Sequence, residues 1–233
     1  FAGFGNAANL SAANTHGLGV DINGNGSFTL DDNAPIGTDR LLDHSTIFGA
    51  GNVFTLEALI NLPAITGANR EIISTDGSAG NADRGFQFRV GTAGVLEFNF
   101  IGVNTSAITA PIPTTGDHAF AANQWFHAAL SYDGTSARFY WTRLADQFTT
   151  ANLIGGPTAE GVDINDDAIL VLGNEGRTVG TTGSTEGLLG LLDEVRISNI
   201  VRGPQEMMLV PEPSTWAIVG LGVLTLAGAR RRQ

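Results

Sequence analysis

Apolar residues recur at every second position in short runs along this chain, and glycine-bearing turns separate the runs. In Phe54-Thr-Leu-Glu-Ala-Leu-Ile60, Phe54, Leu56, Ala58 and Ile60 share one face and Thr55, Glu57 and Leu59 the other. A period of two is the signature of a strand, because successive side chains of an extended backbone point to opposite sides. Phe86-Gln-Phe-Arg-Val90 and Leu96-Glu-Phe-Asn-Phe100 repeat it around Gly-Thr-Ala-Gly at 91–94, which predicts a hairpin. A second hairpin is predicted where Trp125-Phe-His-Ala-Ala-Leu-Ser-Tyr132 passes through Asp133-Gly134 into Ala137-Arg-Phe-Tyr-Trp141. Ile169-Leu-Val-Leu172 and Leu191-Leu-Asp-Glu-Val-Arg-Ile197 complete the set. No stretch before the C-terminal tail sustains an apolar period of 3.6, so the body is expected to be all-β, in one large domain.

Cysteine is absent. The core is therefore held by burial, or by burial and a metal, without a disulfide framework. The net charge is −11; setting aside the three tail arginines and Glu212 leaves 9 basic and 22 acidic side chains over residues 1–210, a net −13. Such a body repels nucleic acid and anionic lipid and attracts divalent cations. Every basic residue is Arg, from which no function follows.

The tail sets the compartment. Val210-Pro-Glu-Pro213 precedes an apolar run of 14 residues, Trp216 to Ala229, and then Arg230-Arg-Arg232. As a helix the run spans about 21 Å, short of a hydrocarbon core of about 30 Å. The arginines would stay cytoplasmic and place the body outside the membrane. The three-part pattern of Pro211, Glu212 and Pro213, apolar helix, and Arg230, Arg231 and Arg232 resembles the PEP-CTERM sorting signal of exopolysaccharide-producing Gram-negative bacteria. That resemblance implies transient membrane insertion and cleavage near the Pro-Glu-Pro triplet by an exosortase-type enzyme, which releases the body to the cell exterior. The alternative is an unprocessed single-pass anchor. The chain opens at Phe1 without Met or an apolar leader, so an export signal is expected upstream.

Four segments resemble laminin G-like members of the concanavalin A-like lectin/glucanase superfamily: Phe54–Ile60, Trp125–Gly134, Ile169-Leu-Val-Leu-Gly-Asn174 and Gly190-Leu-Leu-Asp-Glu-Val-Arg-Ile-Ser-Asn199. Gly19-Val-Asp-Ile-Asn-Gly24 resembles the first core strand of that family. Order and spacing agree over residues 17–205. The resemblance implies a two-sheet antiparallel jelly-roll sandwich, with a lead-in at 1–16, a linker at 206–213 and the apolar sorting helix at 214–233. Tyr140-Trp-Thr-Arg143 departs from the family's Tyr, apolar, Asn-Gly pattern, so the loop after Trp141 is expected to be remodelled.

Two places suit a cation. Asp21-Ile-Asn-Gly-Asn-Gly-Ser-Phe-Thr-Leu-Asp-Asp32 carries oxygen side chains at positions 1, 3, 5 and 12 and Gly26 at position 6, close to an EF-hand calcium loop. Its twelfth residue is Asp instead of a bidentate Glu and neither flank is helical, so a glycine-rich turn between strands is the competing reading. Asp193 sits in an otherwise apolar strand, where an unpaired carboxylate is costly. The family resemblance implies a structural Ca2+ held by Asp193 with Asp21 or Asn23; the alternative is a capping carboxylate, or one paired with Arg196. Asp163-Ile-Asn-Asp-Asp167 spaces its oxygens similarly, but Ala168 replaces the glycine and a solvated loop is expected.

Nothing in the sequence arranges a catalytic site. His16, His44 and His118 lack metal-ligand spacing, and His127, in mid-strand, reads as a packed or hydrogen-bonded histidine. No Gly-x-Ser-x-Gly elbow occurs. The Glu-x-Asp-x-Glu strand of the glucanases, which puts alternate carboxylates on one face, is missing; Asp193 and Glu194 are adjacent. Trp125, Tyr132, Phe139, Tyr140 and Trp141 offer a sugar-stacking platform or core packing, and of the last three the middle one faces opposite to its neighbours. The function these features point to is a secreted, non-catalytic carbohydrate-binding or adhesion protein whose partner is an extracellular polysaccharide. A structural matrix protein without a glycan ligand and a divergent polysaccharide-degrading enzyme are the alternatives.

Overall fold

The computed structural model describes residues 8–9, 28–30, 53–76, 84–100, 107–145, 148–159, 170–174 and 186–208. Within them twelve strands form two antiparallel six-stranded sheets: β1 (Ala8–Asn9), β2 (Phe28–Leu30), β3 (Val53–Asn61), β4 (Arg70–Asp76), β5 (Arg84–Gly91), β6 (Val95–Phe100), β7 (Ile108–Pro111), β8 (Trp125–Asp133), β9 (Ser136–Arg143), β10 (Leu153–Ala159), β11 (Leu170–Leu172) and β12 (Leu191–Ser198). Sheet A runs β1-β12-β3-β8-β9-β10 and sheet B runs β2-β11-β4-β5-β6-β7. Non-consecutive neighbours such as β12 beside β3 and β11 beside β4 make the connections cross between sheets, as a jelly roll requires.

Both predicted hairpins form. Strands β5 and β6 pair from Phe86↔Phe100 to Gly91↔Val95, and β8 and β9 pair from Phe126↔Arg143 to Tyr132↔Ala137. Gly134 takes φ 90°, a conformation that a side chain disfavours. Asp133 fixes the same turn: its Oδ1 accepts from the N–H groups of Thr135 and Ser136 at 3.1 and 2.8 Å, and Arg138 Nη1 reaches Oδ2 at 3.0 Å. The Thr135 hydroxyl, which also donates to Oδ1 at 2.8 Å, and Arg138 do most to hold the Asp133 carboxyl far below the usual carboxylate range.

The core lies between the sheets and is built from the alternating apolar positions. Phe54, Leu56, Ala58 and Ile60 from β3 meet Phe86, Phe88, Leu96, Phe98 and Phe100 from sheet B, all fully buried. Aromatic rings meet across this layer: Phe54 of sheet A has its centroid 5.9 Å from Phe98 and 6.2 Å from Phe100 of sheet B, and Phe100 lies 5.6 Å from Tyr132. Each such pair contributes about 0.5–1.5 kcal/mol beyond the area it buries.

Strands β1, β2, β4, β7 and β10 escaped the sequence pattern, β1 in the stretch expected as a lead-in, where it pairs with β12. A bulge between Glu71 and Ile73 breaks the alternation of β4, so Ile72 and Ile73 are both buried. Strand β7 is four residues long and ends in Pro111. Strand β10, Leu-Ile-Gly-Gly-Pro-Thr-Ala, contains breakers and pairs with β9 through two register shifts. Gly155 in β10 is required by packing, since a Cβ there would lie 2.5 Å from the Cβ of Ala110 in β7. The predicted strand at 19–24 and the C-terminal apolar helix lie outside the described residues.

Candidate functional site

The non-core faces of the two sheets carry the chemistry, and they differ. On sheet A, alternation turns Thr55 and Glu57 of β3 away from the core, beside His127 of β8 and Arg196 of β12 in the paired strands. Glu57 is nevertheless fully buried, because residues 199–208, leaving β12, cross this face as a strap. Glu57 Oε2 lies 2.9 Å from His127 Nε2 and accepts the Met208 N–H at 2.8 Å; Oε1 accepts from Arg196 Nε at 2.7 Å and also from Arg196 Nη2. Burial alone would raise the Glu57 pKa. The hydrogen bond and charge of His127, the Met208 N–H and Arg196 together outweigh burial and hold the carboxyl below its ordinary value.

The rest of the strap is knitted down as well. Thr55 Oγ1 donates to the Ile200 carbonyl at 2.8 Å and accepts the Arg202 N–H at 2.9 Å; the Ala151 N–H donates to the Pro204 carbonyl at 2.9 Å. Met207 is buried against Ala129, Tyr140 and Ala151. The folded body thus runs on through Met208.

Covering this face settles the aromatic platform. Tyr140 does point away from the core, as the alternation requires, but it is buried in the Met207 cluster. Tyr132, Phe139 and Trp141 are core residues, and Trp125 is half-buried at the start of β8. His127 is the packed, hydrogen-bonded histidine expected; its Nδ1 is buried without a partner. His118 packs its ring on Phe148, with centroids 4.4 Å apart, and its Nδ1 lies 3.4 Å from the Arg143 N–H. His16 and His44 lie outside the described residues.

The non-core face of sheet B carries a polar grid, of which Glu71, Ser74 and Gln87 are buried, Arg89, Glu97 and Asn99 half-buried and Thr109 exposed. Register places Glu71, Arg89, Glu97 and Thr109 in one row across β4, β5, β6 and β7, and Ser74, Gln87 and Asn99 in a second row across β4, β5 and β6. Neighbouring strands are about 4.8 Å apart, so the first row extends some 14 Å. Arg89 is its hub. Its Nε donates to Glu97 Oε1 at 2.7 Å, with Nη2 on the same oxygen, and Nη1 reaches Glu71 Oε1 at 3.1 Å and Glu186 Oε2 at 3.0 Å. Asn69 Nδ2 supports Glu186 Oε1 at 2.9 Å.

Three carboxyls around one guanidinium leave an excess of negative charge. Glu71 carries the consequence: it is fully buried, and desolvation, added to repulsion from Glu186, outweighs Arg89 and drives its pKa well above the ordinary value. Retaining the proton relieves the repulsion and lets this carboxyl share a hydrogen bond with Glu186. The Arg89 pKa is raised: burial opposes its charge, but Glu71, Glu97 and Glu186 outweigh that. Oδ1 of Asn99 in the second row is buried and accepts no hydrogen bond.

This cluster was readable in part. Once the 91–94 turn sets the register, Arg89 and Glu97 must face each other across the hairpin. Glu57 and Glu71 carried a weaker signal, a charge on the polar side of a strand. Glu186 joins through tertiary packing alone.

Of the cation candidates, Asp193 is half-buried on β12, opposite Leu59, at a bulge where Glu194 takes φ 46°. Its Oδ1 accepts the Glu194 N–H at 2.9 Å. Arg196, the alternative partner weighed for it, is bound to Glu57. Asp21, Asn23 and the segment 163–167 lie outside the described residues; Phe28–Leu30, late in the EF-hand-like stretch, is strand β2 paired with β11. Among the described residues no three His, Asp or Glu side chains converge as a metal site.

Comparison with known proteins follows the same lines. A family model of the concanavalin A-like lectin/glucanases superfamily, of laminin G type, matches residues 33–208, and a model of the PEP-CTERM protein-sorting motif matches residues 209–232. No curated protein matches the sequence. Among solved structures, the CBM40 domain of the Ruminococcus gnavus IT-sialidase bound to α2,3-sialyllactose is 17% identical with a TM-score of 0.50, covering 76% of this chain and 92% of that one. A second structure of the Ruminococcus gnavus IT-sialidase CBM40 gives 17% and 0.50, covering 76% and 93%. Trypanosoma rangeli sialidase in complex with the inhibitor DANA is 12% identical with a TM-score of 0.43, covering 67% of this chain and 22% of that one. At these identities the likeness is one of fold.

Proposed function

The chain belongs to the concanavalin A-like lectin/glucanases superfamily and carries a PEP-CTERM sorting motif, and on that premise we propose that it is a non-catalytic carbohydrate-binding protein of an exopolysaccharide matrix. It is exported to the surface of a Gram-negative cell, where an exosortase-type enzyme cuts near Pro211–Pro213. The observation that carries the ligand reading is the polar grid on sheet B. Arg89 and Glu97, locked with buried Glu71 and with Glu186, keep part of their surface open, and half-buried Asn99 and exposed Thr109 lie beside them on β6 and β7. Hydrogen-bonding groups fixed on a rigid sheet recognise sugar hydroxyls with little ordering cost on binding. The sheet A face, closed by the strap, does not compete for that role.

Calcium belongs to the same proposal. Asp193 would supply a carboxylate and Asp21 or Asn23, with backbone carbonyls, the other oxygens, and the ion would tie the late strand to the start of the body.

One observation favours a second reading. Glu71, whose pKa is driven well above the ordinary carboxyl value beside Glu97 and Glu186, is the kind of perturbed carboxyl that acid–base hydrolases use. The binding reading is preferred because Glu71, Glu97 and Glu186 all direct oxygens at a single guanidinium, which leaves no pair set to flank a glycosidic bond.

The test is a polysaccharide and glycan array on the full chain, with calcium and with chelator, beside Arg89→Met and Asn99→Leu variants whose melting is checked. Retention of a polysaccharide by the parent, weakened at least tenfold in both variants, supports the proposal. A folded parent that retains none points to the structural matrix protein. Release of reducing ends points to the enzyme.

A further inference from the structure

Met208, the last of the described residues and bonded to Glu57, is separated from Pro211 of the sorting motif by Leu209 and Val210 alone. Three residues reach at most about 10 Å, so Pro211, where the triplet begins, stays that close to the Met208 N–H on buried Glu57. A peptidase takes its substrate as an extended segment, with several residues on each side of the scissile bond. For a cut near Pro211–Pro213, the residues that would enter on the N-terminal side include Met207 and Met208. Met207 is 1% exposed, packed on Ala129, Tyr140 and Ala151, and Met208 is bonded to Glu57. A folded body therefore withholds part of the segment that the enzyme needs.

We propose that the strap is a latch on processing: residues 199–208 must lift from the Glu57–His127–Arg196 cluster before the sorting motif is cut. The proposal rests on the reading that a processing enzyme cuts at this motif. When a natively held segment opens and recloses faster than it is cleaved, the cutting rate follows the fraction of molecules that are open. Glu57 sets that fraction, because one buried carboxylate receives the Met208 N–H and Arg196, and Arg196 Nη2 also holds the Glu206 carbonyl at 3.1 Å. After the cut the strap relatches, and the released protein keeps residues 199–208 as part of its body.

The test uses the full chain in its producing bacterium, with pulse-chase of precursor to product and intact mass of the product. Glu57→Gln weakens the latch from within, and a ten-residue Gly/Ser spacer inserted between Met208 and Leu209 bypasses it without touching the body. Each should speed processing about tenfold, the scale of one charged hydrogen bond lost, and Glu57→Gln should add nothing once the spacer is present. Hydrogen exchange on purified protein gives a readout free of the enzyme: Glu57→Gln should speed exchange of the Met208 amide and leave the β8 core amides protected. A spacer variant cut at the parent's rate overturns the latch, as does a Glu57→Gln effect undiminished by the spacer. A parent chain never cut removes the sorting reading itself, and the latch with it.

Discussion

Glu57 Oε2 and His127 Nε2 lie 2.9 Å apart, both side chains fully buried, on the face of sheet A turned away from the core. A buried carboxylate is tolerated there because it is saturated: the imidazole, a guanidinium and a backbone N–H meet it together. Taking away the charge leaves those donors facing nothing equivalent.

The acid limb of stability should follow from this cluster. The folded-state pKa of Glu57 is depressed below 4.5, so its contribution is present above about pH 4.5 and is lost as pH falls through the folded value. Glu57→Gln should cost about 3 kcal/mol at pH 7 and should flatten the fall in stability toward pH 3. Urea unfolding of parent and variant between pH 7 and 3 measures both. Parallel curves would remove Glu57 as the source.

Glu71 has the opposite sign. Its folded-state pKa is raised well above 4.5, so the stability it contributes is complete below about pH 4.5 and declines as pH rises toward the folded value. Glu71→Gln keeps a hydrogen-bonding group of the same shape without a titrating proton. At pH 8 it should stabilise the body by about 1 kcal/mol, some 2–4 °C in Tm for a domain of this size. Thermal melts across pH 4–9 check it: a variant that melts below the parent at pH 8 means that Glu71 is ionised in the fold.

The mature surface form should lack the residues beyond the Pro-Glu-Pro triplet. Intact mass of protein recovered from the producing cells decides this. Full-length chain ending at Gln233 and held stably in membrane would establish the unprocessed anchor instead.

Millimolar calcium should raise the melting temperature, by the equivalent of about 2.7 kcal/mol at a hundredfold excess over Kd, and Asp193→Ala should remove most of the rise. The acidic excess of the body favours filling such a site. If Asp193→Ala keeps the full calcium response, Asp193 is not a ligand, and the stretch from Asp21 to Asp32 becomes the place to look.

What was legible in the sequence is what local periodicity encodes. Alternation placed Phe54, Leu56, Ala58 and Ile60 in the core and turned Tyr140 outward, and turn residues defined the hairpins at 91–94 and 133–134. The ordered segments identified the family, and Pro211–Pro213 with its apolar run and arginines identified the sorting motif. Period two, however, names only two faces; it does not say whether the outer one meets water. That was decided by tertiary structure. The strap from β12 closed the sheet A face over Glu57, His127 and Tyr140; the β4-β5-β6 pairing aligned Glu71, Arg89 and Glu97, and packing of the segment before β12 against β4 added Glu186, 115 positions from Glu71. Such contacts depend on which strands neighbour one another, and that is fixed by packing over the whole sandwich, where no single segment carries the information.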